Sequence, residues 1–226
     1  MSKAQSDIIA AILIIVIALG LAATAYTWGI PLIQKRQDTA IVERMAGNFD
    51  QNNVNSLPSR IEFIANNGGE ETFKLDVDGV WELHTCPAGE LSGCTHNPDD
   101  SQNNFIQFTS ASRVTNIAAS TQDWVSLTTG AACPPSKGIV GTDKSSVVCA
   151  RADELPGGLF NISYRIWFRE LEELGTARSF KIDLTKHTAG DLGSIGKAVR
   201  ISRENFHQIS SGGKTLIIPE IKILLE

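Results

Sequence analysis

The hydrophobic pattern divides the chain into an apolar beginning and a longer alternating part. Residues 8–33 form a run of 26 residues without a charged side chain. At about 1.5 Å per residue, a helix over this run can cross the roughly 30 Å hydrocarbon core of a bilayer. The run exceeds the apolar stretch of about 7 to 15 residues in a cleaved secretory signal, and its C-terminal side continues with an amphipathic, then polar, helical pattern. The pattern predicts one helix over about residues 6–45, roughly 60 Å long.

From residue 59 onward the apolar residues recur with a period of two instead of 3.6. In residues 161–168 the even positions share one apolar face, and Trp167 is the one large apolar residue on the other. Similar alternation predicts strands at residues 60–64, 72–77, 81–83, 105–108, 124–127, 146–149, 180–184, 199–201 and 216–225. The prediction is an α+β fold, in which a long hydrophobic helix precedes an antiparallel β-sandwich of immunoglobulin-like or jelly-roll-like type, with a closed barrel as the alternative.

The boundary between the two parts is rich in asparagine. Residues 47–58 have almost no apolar pattern and end in Pro58, which suits the entry of a strand better than the interior of a helix. The predicted organisation is therefore a helix over residues 5–46, a hinge over residues 47–58 and a β-rich outer domain over residues 59–226.

Charge separates the helix from the outer domain as well. The chain has 20 basic and 25 acidic residues; residues 1–45 carry a net charge of +1 and the remainder −6. A mildly acidic domain of about 175 residues can bury one core, and its charge gives no reason to expect nucleic acid as a partner. The chain lacks the signatures of serine hydrolases, P-loop proteins, dinucleotide-binding proteins and HExxH metalloproteases. We therefore expect neither enzymatic activity nor a cofactor.

All four cysteines lie in the outer domain, at Cys86, Cys94, Cys133 and Cys149. An even number of cysteines in a domain attached to a membrane segment favours disulfides formed in an oxidising compartment. Three pairings are possible. The local one, which joins Cys86 to Cys94 and Cys133 to Cys149, is favoured because each pair brackets a turn-rich loop.

A metal site is the alternative for the first cysteine pair. His84, Cys86, Cys94 and His96 form a symmetric His-x-Cys and Cys-x-His array that can hold zinc or copper tetrahedrally. Zinc motifs usually use closer cysteine pairs, however, and a hairpin disulfide beside two exposed histidines explains the same residues. The expected oxidising compartment favours the disulfide.

One short motif suggests a covalent modification. Asn161 and Ser163 fit the acceptor pattern for N-glycosylation, which would place them on an accessible surface. The polar face of a strand explains the same two residues equally well.

The first 45 residues carry a family resemblance. A short leader with Lys3 is followed by a small residue, a polar stretch that contains Asp7, and an apolar helix that becomes amphipathic: MSKAQSDIIAAILIIVIALGLAATAYTWGIPLIQKR. This segment resembles the N-terminus of archaeal type IV pilins and archaellins. The outer domain resembles the β-rich outer domains of that superfamily only in kind.

The resemblance implies processing, assembly and a location. A prepilin peptidase would remove the leader, residues 1–4, by cleaving after Lys3 or Ala4, so that the mature chain begins at Ala4 or Gln5. The helix would reside in the cytoplasmic membrane until the pilus assembly machinery packs it into the core of a helical homo-oligomeric filament outside the cell. Such a filament would serve adhesion or motility.

The same resemblance assigns roles in assembly. Asp7 corresponds in position to the family's early acidic residue. Cleavage creates an α-amino group, and we expect this cation, on the same or an adjacent subunit, to offset the cost of burying the Asp7 carboxylate. Pro31 is expected to bend or locally melt the helix, because it removes one backbone N–H. The predicted assembly residues are Asp7, Ile8, Ile12, Ile15, Leu19 and Pro31.

Two other functions compete with a filament subunit. A monomeric membrane-anchored surface protein, or an accessory pilin-like protein, needs nothing beyond the apolar helix. The positive-inside rule alone, with Lys35 and Arg36 after the run and Lys3 before it, would place the outer domain in the cytoplasm, whereas the cysteines argue for the outside. The third possibility is an anchored metal-binding domain built on the His–Cys array.

Overall fold

The computed structural model describes residues 3–85, 104–117 and 123–226. The chain divides into two compact units, Met1–Ala40 and Ile41–Glu226. The first unit contains most of helix α1 (Lys3–Phe49), and the second, which we call the head, contains the last turns of that helix and the strands. The predicted α+β class is confirmed, with one long apolar helix preceding a β-rich unit.

Helix α1 extends further than predicted. The stretch assigned to a hinge from residue 47 onward remains helical as far as Phe49. Val42, Met45 and Phe49 lie on one helical face, and each is at most 2% exposed in the core of the head. Burial of this face stabilises the last turns of the helix, although the residues between are mainly polar.

A second helix, α2, spans Leu57–Asn67, and the predicted strand at residues 60–64 is wrong. Pro58 lies in the first turn, where its missing N–H leaves no helical hydrogen bond unmade, and Gly68 ends the helix at a φ of 79°. The buried side chains follow the helical spacing i, i+4, i+7 and i+8: Leu57, Ile61, Ile64 and Ala65. A window of only five residues was too short to separate this period from alternation.

Thirteen strands are present among the described residues of the head. In chain order they are β1 (Glu70–Lys74), β2 (Val80–His84), β3 (Phe105–Ser112), β4 (Val125–Ser126), β5 (Gly138–Ile139), β6 (Ser146–Leu155), β7 (Leu159–Phe168), β8 (Leu171–Glu172), β9 (Arg178–Phe180), β10 (Asp183–Lys186), β11 (Gly193–Ser194), β12 (Ala198–Ser211) and β13 (Lys214–Leu225). Every predicted strand other than residues 60–64 overlaps one of them. The short strands β5, β8 and β11 were not predicted.

The strands form two sheets, and one of them is mixed rather than antiparallel. The first sheet has the order β1-β12-β13-β9-β8-β5, with β10 also paired to β13, and the second has the order β11-β2-β3-β7-β6-β4. The second sheet is antiparallel throughout. In the first, β9 and β10 pair with β13 in parallel and in one continuous register, and β5 pairs with β8 in parallel. The prediction of a wholly antiparallel sandwich is therefore wrong for this sheet, because alternation carries no information about strand direction.

Side chains from both sheets form one hydrophobic core, as in a β-sandwich. Phe49, from the last turn of α1, stacks on Tyr164 with the ring centroids 4.7 Å apart and the planes 7° from parallel. Its centroid also lies 6.1 Å from those of Trp81 and Phe108. The end of α1 is therefore an integral part of the head, and the folded head begins well before the predicted boundary at residue 59.

Candidate assembly helix and the sites of the head

The first unit exposes apolar side chains on all sides of its helix. Twelve large hydrophobic side chains are 52–80% exposed: Ile12, Leu13, Ile14, Ile15, Val16, Ile17, Leu19, Leu21, Tyr26, Trp28, Leu32 and Ile33. By length and composition, the helix over Ala10–Phe49 qualifies as a candidate membrane span, because an 18-residue window within it has a mean hydropathy of 2.3. Helices that are apolar on every side are typical of membrane spans and of buried core helices. This helix is therefore a candidate membrane anchor or signal, and three predicted assembly residues, Ile12, Ile15 and Leu19, lie on its exposed surface.

The two threonine side chains within the apolar run are hydrogen-bonded locally. The Thr24 hydroxyl donates to the Gly20 carbonyl at 2.8 Å, and the Thr27 hydroxyl donates to the Thr24 carbonyl at 3.0 Å. Such bonds leave no hydroxyl donor unpaired in an apolar environment. The helix also continues through Pro31, so the predicted local melting is not observed, although the proline removes one backbone donor.

The predicted cleavage positions lie at the beginning of α1. Lys3 is the first helical residue, and Ala4, Gln5, Asp7 and Ile8 follow within the same helix. The side chains of residues 3–9 lie outside the described part of the structure. The cleavage site and the assembly roles of Asp7 and Ile8 therefore stay predictions.

His84 is the only member of the predicted His–Cys array that lies within the described residues. Its ring stacks on Phe105 with the centroids 4.2 Å apart. Desolvation lowers the pKa of His84, and the charge of Glu82 acts in the opposite direction. A neutral, stacked imidazole at the end of strand β2 is what this geometry favours.

The other three residues of the array, Cys86, Cys94 and His96, lie outside the described residues. Within residues 3–85, 104–117 and 123–226, no group of three or more His, Cys, Asp or Glu side chains is arranged to hold a metal. The Cys86–Cys94 pairing and the alternative metal site both stay predictions.

Cys133 and Cys149 form a disulfide with their Cα atoms 6.2 Å apart, which is the pairing predicted for these two residues. Cys149 is fully buried on β6, and Cys133 lies in the loop between β4 and β5. The disulfide therefore ties this loop to the second sheet.

The disulfide belongs to a small second core on the outer face of that sheet. Its buried members are Phe105, Val147, Cys149 and Trp167, and partly buried Trp124, Ala131 and Cys133 pack against them. This cluster explains why Trp167 interrupts the alternation of β7: its side chain packs under the disulfide-linked loop and not in the main core. No local pattern in the sequence separates such a side chain from an exposed one.

Arg165 lies at the centre of this second core. Its guanidinium carbon is 4.0 Å from the ring centroid of Phe105, 4.2 Å from that of Trp124 and 4.8 Å from that of Trp167. Both Nε and one terminal nitrogen donate to Gln107 Oε1, at 2.9 and 2.7 Å. Burial lowers the pKa of Arg165 to about 10, so the side chain remains charged at neutral pH and stabilises the cluster by cation–π contact. The alternating pattern of residues 161–168 places Arg165 on the polar face of the strand and gives no sign of these contacts.

The glycosylation candidate Asn161 lies within strand β7, between strands β3 and β6. Its side chain is half-buried, and Ser163 is only 5% exposed, with its hydroxyl 3.0 Å from that of Thr109. These contacts describe a polar strand face, whereas glycosylation acceptors are usually found in surface loops.

No protein-family model, no curated protein and no solved structure matches this chain. Its function therefore has to be inferred from its own residues.

Proposed function

We propose that this protein is a structural subunit of an archaeal type IV pilus-like cell-surface filament. It polymerises through the apolar part of α1, and the head lies on the outside of the polymer. A prepilin peptidase and the pilus assembly machinery are its partners before assembly. The proposal rests on the resemblance of the first 45 residues and on one structural observation, the apolar surface that surrounds the first unit.

In this proposal the apolar surface is shielded from water in two environments, first the membrane and then the filament. Lipid covers it while the helix is in the membrane, and the helices of neighbouring subunits cover it in the filament. Covering one large apolar side chain contributes roughly 1.5–3 kcal/mol, so twelve such side chains supply ample driving force for either environment. Small residues, among them Ala11, Ala18 and Gly20, alternate with the branched ones and permit close approach between helices.

The decisive experiment is mass spectrometry of the N-terminal peptide, on native protein sheared from intact cells, together with electron microscopy of the sheared material. We expect filaments that contain this chain, beginning at Ala4 or Gln5. A chain that stays with the membranes and retains Met1 would contradict the proposal and favour the monomeric membrane-anchored surface protein. A chain that is cleaved but found only as a trace in filaments of another protein would identify an accessory subunit.

A further inference from the structure

The head contains a cavity of about 460 Å³ between α2, the residues that follow β5, and strands β8, β9 and β13. This volume is within the range of about 300–1,000 Å³ that is usual for ligand clefts in proteins. Its apolar lining includes Val140, Leu171, Phe180, Phe206, Ile217 and Pro219. Phe206 and Val140 are 61% and 38% exposed, so the apolar lining is open to the outside of the head.

The acidic groups that line the cavity are already paired within the head. Glu62 accepts hydrogen bonds from the Ser145 hydroxyl and the Ser146 backbone N–H, both at 2.8 Å. Asp143 accepts from the backbone N–H of Ile139 at 2.7 Å, and it also lies 3.5 Å from the Arg169 guanidinium. Both carboxylates are therefore neutralised or hydrogen-bonded inside the protein.

The two lysines that line the cavity differ. Lys181 is buried, and its charge acts on the neighbouring Asp183. The exposed Lys144 has no ion pair or side-chain hydrogen bond with any residue that the structure describes. The cavity therefore has an apolar lining and, at its edge, the cation of Lys144, which has no partner among the described residues.

A complementary feature lies elsewhere on the head, at residues 191–195, which we call the tip. Leu192 and Ile195 are 51% and 83% exposed, and the exposed Asp191 beside them has no partner among the described residues. The backbone of the tip is held in place: the Leu83 N–H donates to the Leu192 carbonyl at 2.7 Å, and Ser194 pairs with Trp81. The tip is a fixed apolar projection with an adjacent anion.

The tip and the cavity of one head lie too far apart to meet. The tip precedes β12, whose first residue, Ala198, donates to the carbonyl of Glu226 just beyond the end of β13. The cavity lies at the other half of β13, around Ile217. Leu225 follows Ile217 by eight positions along the strand, a distance of about 26 Å at 3.3 Å per residue. Only a second copy of the chain can bring the two features together.

We propose that the tip of one head docks in the cavity of the head of a second copy, with Leu192 and Ile195 against its apolar lining and Asp191 beside Lys144. The contact joins two different surfaces, so each head retains one free tip and one free cavity, and the contact can repeat along a helical polymer. This inference rests on the proposed filament function and adds a head-to-head contact to the helix core.

Cysteine crosslinking in filaments of the full-length protein tests the contact. Filaments of a Val140→Cys, Leu192→Cys double variant are treated with diamide, which oxidises two neighbouring thiols to a disulfide, and are run on a non-reducing gel. We expect a ladder of dimers and higher oligomers. The matched control is Val140→Cys with Val125→Cys, since Val125 is 42% exposed on β4, at the opposite edge of the second sheet from the tip. Variants that carry only one of the introduced cysteines measure any crosslinking that involves the native cysteines.

A charge exchange tests the ion pair. Lys144→Glu and Asp191→Lys, placed separately in the double-cysteine variant, should each lower the crosslinking yield by about two- to fivefold, the effect of one exposed ion pair. The two together should restore the yield, whereas Lys74→Glu, at an exposed position on β1, should leave it unchanged.

The outcomes separate the inference from the proposed function. If wild-type filaments form but filaments of the Val140→Cys, Leu192→Cys variant give no ladder, or only the ladder that the control pair gives, the head-to-head contact is overturned and the filament function stands. A ladder whose yield the double exchange fails to restore would overturn the ion pair. Absence of wild-type filaments would overturn the proposed function and the contact with it.

Discussion

Isoleucine side chains are mostly buried in the head and mostly exposed in the first unit. In the head, Ile61, Ile106 and Ile221 are completely buried, whereas Ile14 and Ile15 in the first unit are 66% and 58% exposed. The head covers its own apolar side chains because each of its elements has one apolar face, and those faces meet. The apolar run of the first unit exposes large side chains on every side of its helix, as membrane spans do. The head therefore buries its own apolar side chains, whereas the helix of the first unit leaves them exposed and is a candidate membrane anchor or signal.

The largest expected effect concerns the end of α1. Phe49→Ala removes a fully buried ring and should lower the free energy of unfolding of the head by about 3–5 kcal/mol. The matched truncation in the first unit, Ile15→Ala, should change that free energy by less than about 0.5 kcal/mol. Urea unfolding of the full-length protein in lipid nanodiscs, followed by near-UV circular dichroism, measures both. Equal destabilisation by the two variants would show that the comparison is wrong.

A charge placed in the apolar run should affect the first unit alone. Ile15→Lys places a charge in the middle of the apolar run and should disfavour membrane insertion by about 2.5–3.5 kcal/mol. Gln34→Lys, just beyond the run, is the control and should insert normally. The fraction of each variant that stays with carbonate-washed membranes gives the result, and the melting temperature of the head should be the same in both. Release of the wild type and of the Gln34→Lys control by the carbonate wash would argue against a membrane-spanning helix.

Loss of the disulfide should affect only the head. Replacing both Cys133 and Cys149 by alanine should lower the free energy of unfolding by about 3 kcal/mol, the value expected for closing a loop of about 15 residues. Their separation in the chain is 16 residues. Under dithiothreitol the wild type and the variant should have the same stability. A further loss in the variant under dithiothreitol would report on Cys86 and Cys94, and unchanged stability of the variant would contradict the prediction.

The smallest effect is expected from a buried carboxyl group. Burial raises the pKa of Asp183 above its ordinary value of 3.8, although the charge of Lys181 partly opposes the shift. Because the folded-state pKa is the higher one, the head loses stability as the pH rises from about 4 through that pKa. Asp183→Asn removes the charge and should raise the melting temperature at pH 7 but not below pH 4. A variant that is less stable than the wild type at pH 7 would show that the charge itself is needed.

Local patterns predicted those helices and strands in which apolar and polar residues recur with one clear period. The apolar helix and strand β7 follow from periods of 3.6 and two, and the overlap of the other predicted strands with observed ones has the same origin. The prediction of a strand at residues 60–64 was wrong. These five residues alternate, but the four buried positions at helical spacing extend over residues 57–65 and are seen only in a longer window. Pro58 and Gly68, at the two ends of α2, were the available signals.

The sites of the head were less predictable than its strands. The Cys133–Cys149 pair could be inferred from spacing, because a disulfide needs only two nearby cysteines in an oxidising compartment. The roles of Arg165 and Trp167 were not recognised, because the other two rings that surround the guanidinium, Phe105 and Trp124, come from residues distant in the chain. The cavity was missed for the same reason, because it combines residues from 62 to 219. The tip is local, but the exposure of Leu192 and Ile195 is visible only in the folded head.

The amino-acid sequence by itself determined the division into an apolar helix and a β-rich domain, because hydrophobicity and period are properties of neighbouring residues. It also contains the N-terminal pattern on which the proposed function rests. Only the tertiary structure decided where the head begins, which strands run parallel, and which polar side chains are buried. Those features depend on contacts between residues far apart in the chain. Only when those contacts form are Phe49 and Trp167 buried, and only then do the rings around Arg165 offset the cost of burying its charge.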